Sequence, residues 1–365
     1  MSNSQTGHSR IPALDGVRGI ATLTVLTGHF MFYDVYHEQW WWAIAHAGWL
    51  GVDLFFVLSG FLITGILLNK KGRPDYFRDF YRRRILRIFP LYYFALILSF
   101  VAIVFIDQQP HRLYTGYDSL GWFLAFIPNV ALALKGDWLW QTNWVGLSHL
   151  WSLAVEEQFY LLWPLVVLLI PRKPLAILCA ILIWAGYYIR VQTDVSFGQE
   201  WSIASYVLPH CRMDGLAAGS LLAILMHLGH LSFSPLQKTI VRDLTFGLVM
   251  TTLYLLLAGN THWRGEVVAL TFMGILYLAL SPDSKIRTFC ERPLLMHLGL
   301  YSYGMYVFHQ MFRVIYEYIY RGPLEASGLP IGWVQAIYMV LAIGTTYLIA
   351  RLSWRYVEQR FIAMK

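Results

Sequence analysis

The stretch Asp15-Gly-Val-Arg18-Gly-Ile-Ala-Thr-Leu-Thr-Val-Leu-Thr-Gly28-His29-Phe-Met lies in the first long apolar run of the chain. Read as a helix, it puts Arg18 and His29 within about 20° of one face and about 16 Å apart along the axis. A cation near one end of an apolar helix, and an imidazole deep within it, are costly unless they face a protein interior or a wet cavity. The run therefore reads as a membrane helix with an inward polar face, and the pair as a candidate site.

Composition extends that reading to the whole chain. Of 365 residues, 57% are hydrophobic and only 13% charged, and the mean hydropathy is +0.50. These values describe an all-α polytopic integral membrane protein rather than a large soluble core. The 15 Trp and 23 Tyr fit interfacial aromatic belts. The net charge of +7 does not point to nucleic acid, because eight of the 28 Lys and Arg fall between Lys70 and Arg87, beside an apolar span. Basic residues placed there read as positive-inside anchors in contact with membrane lipids. Cys179, Cys211 and Cys290 show no CxxC spacing, so neither a disulfide framework nor a metal site is expected. No small-residue cleavage motif follows the first run, which reads as a retained helix.

Apolar runs long enough to span lie near 13–33, 48–69, 88–106, 148–170, 174–191, 203–226, 243–259, 265–281, 295–317 and 333–352. An eleventh, Leu120 to Leu134, is short and contains Pro128 and Asn129. Counting it as a crossing would strand Arg172-Lys173 outside and invert everything downstream. Leaving it out gathers Lys70–Arg87, Arg172-Lys173, Lys238 and Arg242, Lys285–Arg292 and Arg351–Lys365 on the inside. The outside then keeps scattered cations such as Arg112, Lys135, Arg264 and Arg321. The expected fold is about ten transmembrane helices with both termini cytoplasmic, plus a re-entrant or interfacial segment near 120–134. Residues 1–365 read as one membrane domain with no fused soluble domain, and the aromatic stretch 107–147 is expected to fold over the outer face.

Several polar residues fall where hydrocarbon should not contain them. Asp53 lies early in the second span, and His149, Ser152 and Glu156 share one face of the fourth, with Glu157 about 100° away. Arg212 and Asp214 follow Pro209-His210-Cys211 in the sixth, and His309 lies in the ninth. By rise per residue, His29, Asp53, Glu156, Arg212 and His309 all fall in the outer half of the bilayer. Each also has a plainer reading: a buried Asp53–Arg212 ion pair, a packing role for Glu157, a cap or neighbour bond for His149, and a satisfied interior imidazole for His309. The basic stretch Asp75 to Pro90 reads as an interfacial helix, with Phe77, Phe80 and Tyr81 on its apolar face and Arg84 one turn beyond. Arg84 and Arg87, joined by Arg18, suit either lipid phosphates or the phosphates of a donor such as coenzyme A.

At these residues the chain resembles the membrane-bound acyltransferase type 3 family, which includes O-acetylases of bacterial surface polysaccharides. The resemblance covers about 11–360. It rests on Leu14-Asp-Gly-Val-Arg18 with its Arg-x10-His spacing, Gly51-Val-Asp53 through Thr64, Arg84-x-x-Arg87-Ile-Phe-Pro, His149 through Tyr160, Arg212-Met-Asp214 through Gly219, and Ser302 through His309. It implies ten transmembrane helices in a bacterial inner membrane, acetyl-coenzyme A or another acyl-coenzyme A as cytoplasmic donor, and a carbohydrate hydroxyl as acceptor. Lipopolysaccharide O-antigen, exopolysaccharide, peptidoglycan, a lipid-linked oligosaccharide and a small hydroxylated metabolite are all open as acceptors, and nothing fixes the oligomeric state. His29 then matches the essential histidine, and Arg18, Arg84 and Arg87 the essential arginines. Two departures are visible: there is no fused hydrolase-like domain, implying a stand-alone transferase, and Glu358-Gln-Arg360-Phe361 lacks the usual proline.

The expected mechanism has His29 as general base or nucleophile, with Glu156 fixing its tautomer if it reaches that far, and Arg212 or a backbone amide polarising the carbonyl. The rival reading is a proton-coupled secondary transporter using the same His/Glu/Arg cluster. No inverted repeat supports it.

Overall fold

Helix α1 (Pro12–Phe30) starts on a proline, whose missing N–H is harmless at a first helical position, and ends where Met31 turns extended. This structure, a computed structural model, describes residues 11–39, 42–45, 47–106, 119–138, 146–198, 202–258 and 264–364. Short helices α2 (Tyr33–Tyr36) and α3 (Trp42–Ala45) lead into α4 (Trp49–Lys70) and α5 (Tyr76–Ile106). Residues 119–124 form α6, followed by α7 (Pro128–Lys135), α8 (Trp151–Leu169) and α9 (Arg172–Phe197). The second half comprises α10 (Ile203–Val207), α11 (Met213–His227), α12 (Pro235–Leu257), α13 (Arg264–Leu280), α14 (Lys285–Cys290), α15 (Pro293–Leu300), α16 (Ser302–Met311), α17 (Arg313–Tyr316), α18 (Gly322–Ala326), α19 (Ile331–Ser353) and α20 (Gln359–Ile362). No strand occurs among the described residues.

Six of these helices, α4, α5, α8, α9, α12 and α19, are long and apolar enough to cross a membrane. The expected count of about ten is not reached by that measure, for reasons visible in the chain. α1 carries Asp15, Arg18 and several threonines among its apolar residues. The sixth run is broken by Pro209 into α10, a 3-10 turn and α11. α13 has 17 residues, and the ninth run is interrupted at Tyr301 and Phe312. The basic stretch is not a separate interfacial helix. It is the first half of α5, which passes through Pro90 and runs 31 residues, about 46 Å against a hydrocarbon core of about 30 Å.

The 120–134 segment folds as α6 and α7, parted at Phe126, whose φ is +57°. Neither piece can span a bilayer. Its anchor is a reciprocal amide pair: Asn129 Nδ2 donates to Gln158 Oε1 at 3.1 Å, and Gln158 Nε2 donates to Asn129 Oδ1 at 2.9 Å. Met1–Arg10, Arg112 and the stretches 107–118 and 139–145 lie outside the described residues.

In lipid, helices associate through close packing and interhelical hydrogen bonds, because the solvent is as apolar as the side chains. Glycines supply the close packing here. A Cβ at Gly219 would lie 1.8 Å from the Val57 carbonyl oxygen, and one at Gly60 2.0 Å from that of Leu216, so α4 and α11 touch backbone to backbone. α1 is gripped likewise: a Cβ at Gly16 would lie 1.8 Å from the Cys290 carbonyl oxygen, and one at Gly28 2.4 Å from Gly48 Cα. Hydroxyls complete the join, with Trp163 Nε1 donating to Thr64 Oγ1 at 2.8 Å and Thr64 Oγ1 to Ser220 Oγ at 2.8 Å.

Gly219→Val is therefore expected to push α4 from α11 and lower the melting temperature of the detergent-solubilised protein sharply. Gly65→Ala, with nothing within 4 Å of the added Cβ, should be neutral or slightly stabilising, by up to about 1 kcal/mol. A fluorescence-monitored melt of both variants checks this.

Candidate active site

α1 is unbroken between Arg18 and His29, so the spacing of about 16 Å read from the sequence holds in the fold. The turn carrying His29 is fixed from outside by Gln335 of α19, which donates to the Phe30 carbonyl at 3.0 Å and accepts from the Phe32 N–H at 2.8 Å. Around His29 the structure gathers two further imidazoles. His309 of α16 is fully buried, with its ring centroid 5.0 Å from that of His29 and 5.0 Å from that of His149. His149 sits in the 3-10 turn before α8, and its Nε2 donates to the Val307 carbonyl at 3.1 Å. His149 thus bonds a neighbouring helix rather than capping its own.

The arginines lie at the other end of a cavity of about 190 Å³, lined by Arg18, Arg84 and Arg87 together with Ser59, Glu156 and Tyr160, and by Ser152 and Tyr306. Arg18 Nη1 donates to Asp15 Oδ1 at 2.7 Å. The Arg84 guanidinium lies 5.5 Å from the centre of the Tyr160 ring and 5.9 Å from that of Phe80. Among the described residues, neither Arg84 nor Arg87 has a carboxylate at ion-pair distance. From Tyr160 to Ser152 the cavity wall follows α8 for about 12 Å. At the far end, Tyr306 joins the cavity to the histidines: its hydroxyl donates to the His149 carbonyl at 3.0 Å and lies 2.5 Å from Ser152 Oγ.

Glu156 does not hold His29, as the sequence reading would have it. Its Oε1 accepts from Ser59 at 2.6 Å and its Oε2 from Tyr160 at 3.4 Å. The heptad spacing correctly puts Glu156 on the His149 face, but His149 precedes α8 and the imidazoles gather beyond the cavity wall. A side chain that does lie beside His29 is His309, whose Nε2 is 3.3 Å from His29 Nδ1. Glu157 points elsewhere, and its Oε1 is buried without a hydrogen-bond partner.

Asp53 and Arg212 form the buried ion pair that the plainer reading expects. Arg212 is boxed by aromatic rings, its guanidinium 5.2 Å from the centre of Tyr206, 5.7 Å from Phe56 and 6.0 Å from Trp151. Asp214 belongs to a second group. Arg190 of α9 reaches Asp214 Oδ2 at 2.7 Å and Glu266 Oε1 at 2.5 Å, and donates to the Cys211 carbonyl at 3.0 Å. Sequence reasoning missed Arg190 and Glu266, and their signal was the same one that flagged Arg212, a charge within or at the edge of an apolar run. It also missed Ser59, 97 residues away on α4, and Tyr160, one turn along α8, as partners of Glu156, although the i,i+4 spacing of Glu156 and Tyr160 was a signal in the sequence. Glu358, where the usual proline pattern lapses, is buried in a π-helical turn at Trp354–Glu358 and accepts from Ser353 at 3.3 Å.

Comparison with known proteins gives a consistent picture. Residues 11–351 match the family model for an acyltransferase domain of type 3. YrhL of Bacillus subtilis is 30% identical over 96% of this chain and 55% of its own length. The O-acetyltransferase OatA of Staphylococcus aureus is 28% identical over 95% of this chain and 56% of its own. The peptidoglycan O-acetyltransferase OatA of Listeria monocytogenes is 27% identical over 97% and 56%. The chain thus spans about half the length of these relatives. No solved structure matches it.

The Asp53–Arg212 pair generates a stability prediction. Arg212→Leu alone leaves a buried carboxylate unpaired and should cost about 3–5 kcal/mol. Adding Asp53→Leu removes that charge and should restore most of the loss. Thermal melts of the single and double variants distinguish this from simple loss of packing, in which the double variant is the less stable of the two.

Proposed function

The chain belongs to the acyltransferase type 3 family, and on that premise we propose that it is a membrane O-acyltransferase. It moves an acyl group, acetyl in the first instance, from cytoplasmic acyl-coenzyme A to a hydroxyl of a cell-envelope glycan on the opposite face. The relatives named for O-acetylation favour acetyl as the group, and the two named for peptidoglycan favour that polymer as acceptor. The observation carrying the proposal is the cavity, with two arginines lacking carboxylate partners among the described residues at one end and Tyr306 against the histidines at the other. With α1, α13 and the interrupted sixth and ninth runs also crossing, the chain makes ten crossings. Both termini and the basic half of α5 then lie on the cytoplasmic side of a bacterial inner membrane.

In this reading Arg84 and Arg87 take the donor's phosphates, Arg bonding phosphate bidentately, while Asp15 holds Arg18 at the rim. The hydroxyls of Ser59, Tyr160, Ser152 and Tyr306 and the Glu156 carboxylate line the way for an amide-bearing arm. Glu156, already accepting from Ser59 and Tyr160, is positioned to accept an amide N–H as well. At the histidine end, His29 takes the acceptor hydroxyl's proton as the oxygen attacks the thioester carbonyl. The C–S bond breaks, and His29 returns the proton to the leaving thiolate.

Two measurements test this. Isothermal titration of the detergent-solubilised protein with acetyl-coenzyme A should show Arg84→Ala and Arg87→Ala each weakening binding by about 10- to 100-fold, in line with about 1.5–3 kcal/mol for a charge-assisted hydrogen bond. His29→Ala should bind the donor as wild type does, yet transfer radiolabelled acetyl to a soluble peptidoglycan fragment on the order of 10²- to 10⁴-fold more slowly. Full transfer by His29→Ala would overturn the scheme, and uptake of label with no covalent product would revive the transporter reading.

A further inference from the structure

The histidine cluster has an order of protons that hydrogen-bond geometry fixes. His309 Nδ1 lies 2.6 Å from the Tyr306 carbonyl oxygen. A carbonyl can only accept, so that nitrogen carries the hydrogen. A neutral His309 then presents Nε2 as a lone pair, 3.3 Å from His29 Nδ1. The same His29 nitrogen lies 3.0 Å from the Val25 carbonyl oxygen. Two acceptors therefore face one nitrogen, and His29 must carry its hydrogen on Nδ1. Its Nε2 is left as the basic nitrogen.

The alternative arrangement is disfavoured on two grounds. With the hydrogen on His29 Nε2, three lone pairs would converge where His29, His309 and Val25 meet. With His309 as a cation, a fully buried charge would sit against two imidazoles, and among the described residues no carboxylate lies within ion-pair distance of it. His149 does not compete for the shared hydrogen, because its Nε2 is committed to Val307. One helix, α16, thus supplies the acceptors for both flanking imidazoles through the carbonyls of consecutive residues, Tyr306 and Val307.

We propose that His309 is a positioning residue that, together with the Val25 carbonyl, holds the His29 imidazole as its Nδ1–H tautomer, taking the place that a carboxylate occupies in a catalytic triad. A neutral partner does this without burying a second ion, which suits a site in low dielectric. When His29 takes up a proton on Nε2, the resulting cation keeps two acceptors on Nδ1–H. This inference rests on the acyl-transfer reading for its kinetic consequence, but not for the tautomer itself.

The test uses the full chain with His309→Leu and His309→Gln. Leucine removes the acceptor, whereas glutamine can present its amide oxygen to His29 Nδ1–H. For His309→Leu, kcat for acetyl transfer should fall on the order of 10²-fold or more, with KM and Kd for acetyl-coenzyme A unchanged. His309→Gln should recover most of kcat. In protein labelled with ¹⁵N-histidine, the resonances that vanish in His29→Ala should show a protonated Nδ1 and an unprotonated Nε2 in the wild type, and a larger share of the Nε2–H form in His309→Leu, which keeps the Val25 carbonyl but loses the His309 lone pair. A protonated Nε2 in wild-type His29, a Gln variant no better than Leu, or a loss shared equally by KM and kcat would each overturn the assignment. Wild-type protein that transfers no acetyl yet shows the Nδ1–H tautomer would instead count against the function alone.

Discussion

The close approach of α1 to its neighbours governs the rest of the structure. Gly16 and Gly28 bring its backbone against Cys290 at one end and Gly48 at the other, and Gly299 meets the Asp15 carbonyl. A helix clamped at both ends cannot rotate, and rotation by one residue, about 100°, would take Arg18 and His29 out of the interior. In a medium with no hydrophobic force to collapse helices together, such backbone contact is the available means of fixing orientation. Gln335 adds a direct hold on the last turn of α1, just where His29 needs it.

The two charge groups on α4, α9, α11 and α13 serve a different purpose. Asp53–Arg212 and Asp214–Arg190–Glu266 are pairs across helices rather than along them. An ion pair buried in a membrane is weak evidence for stability and stronger evidence for register, since breaking it strands a charge. These groups set how α4, α9, α11 and α13 meet. α4 in turn supplies Ser59 and several walls of the cavity. These charges thus tie together the helices that carry part of the cavity lining.

Much of the site was legible in the chain. Arg18 and His29 were placed by periodicity alone, because a single helix carries both and 3.6 residues per turn leaves no freedom between them. The Asp53–Arg212 pair was foreseen as one of two readings. The Glu156–His29 contact was not realised, although the face of α8 was correct, because a shared face does not say what lies opposite. Similarly, Arg190 and Glu266 carried the same intramembrane signal as Arg212 but stood near the ends of their runs, where a charge reads as an interfacial anchor. The count of crossings was the least legible feature. Hydropathy sees apolar length, and it cannot tell a span from a run that Pro209, or the breaks at Tyr301 and Phe312, divide into pieces.

The sequence by itself determined the class of molecule, the helical runs, the Arg18–His29 axis and the concentration of positive charge on α5. All of these follow from composition and from contacts within one helix, which depend only on residues a few positions apart. Tertiary structure alone decided that His309, 280 residues away, lies against His29, that Ser59 of α4 holds Glu156, and that Arg190 gathers two carboxylates. Those pairings depend on which helix faces which, and that is set by glycine contacts and buried hydrogen bonds between segments far apart in the chain, where local periodicity carries no information.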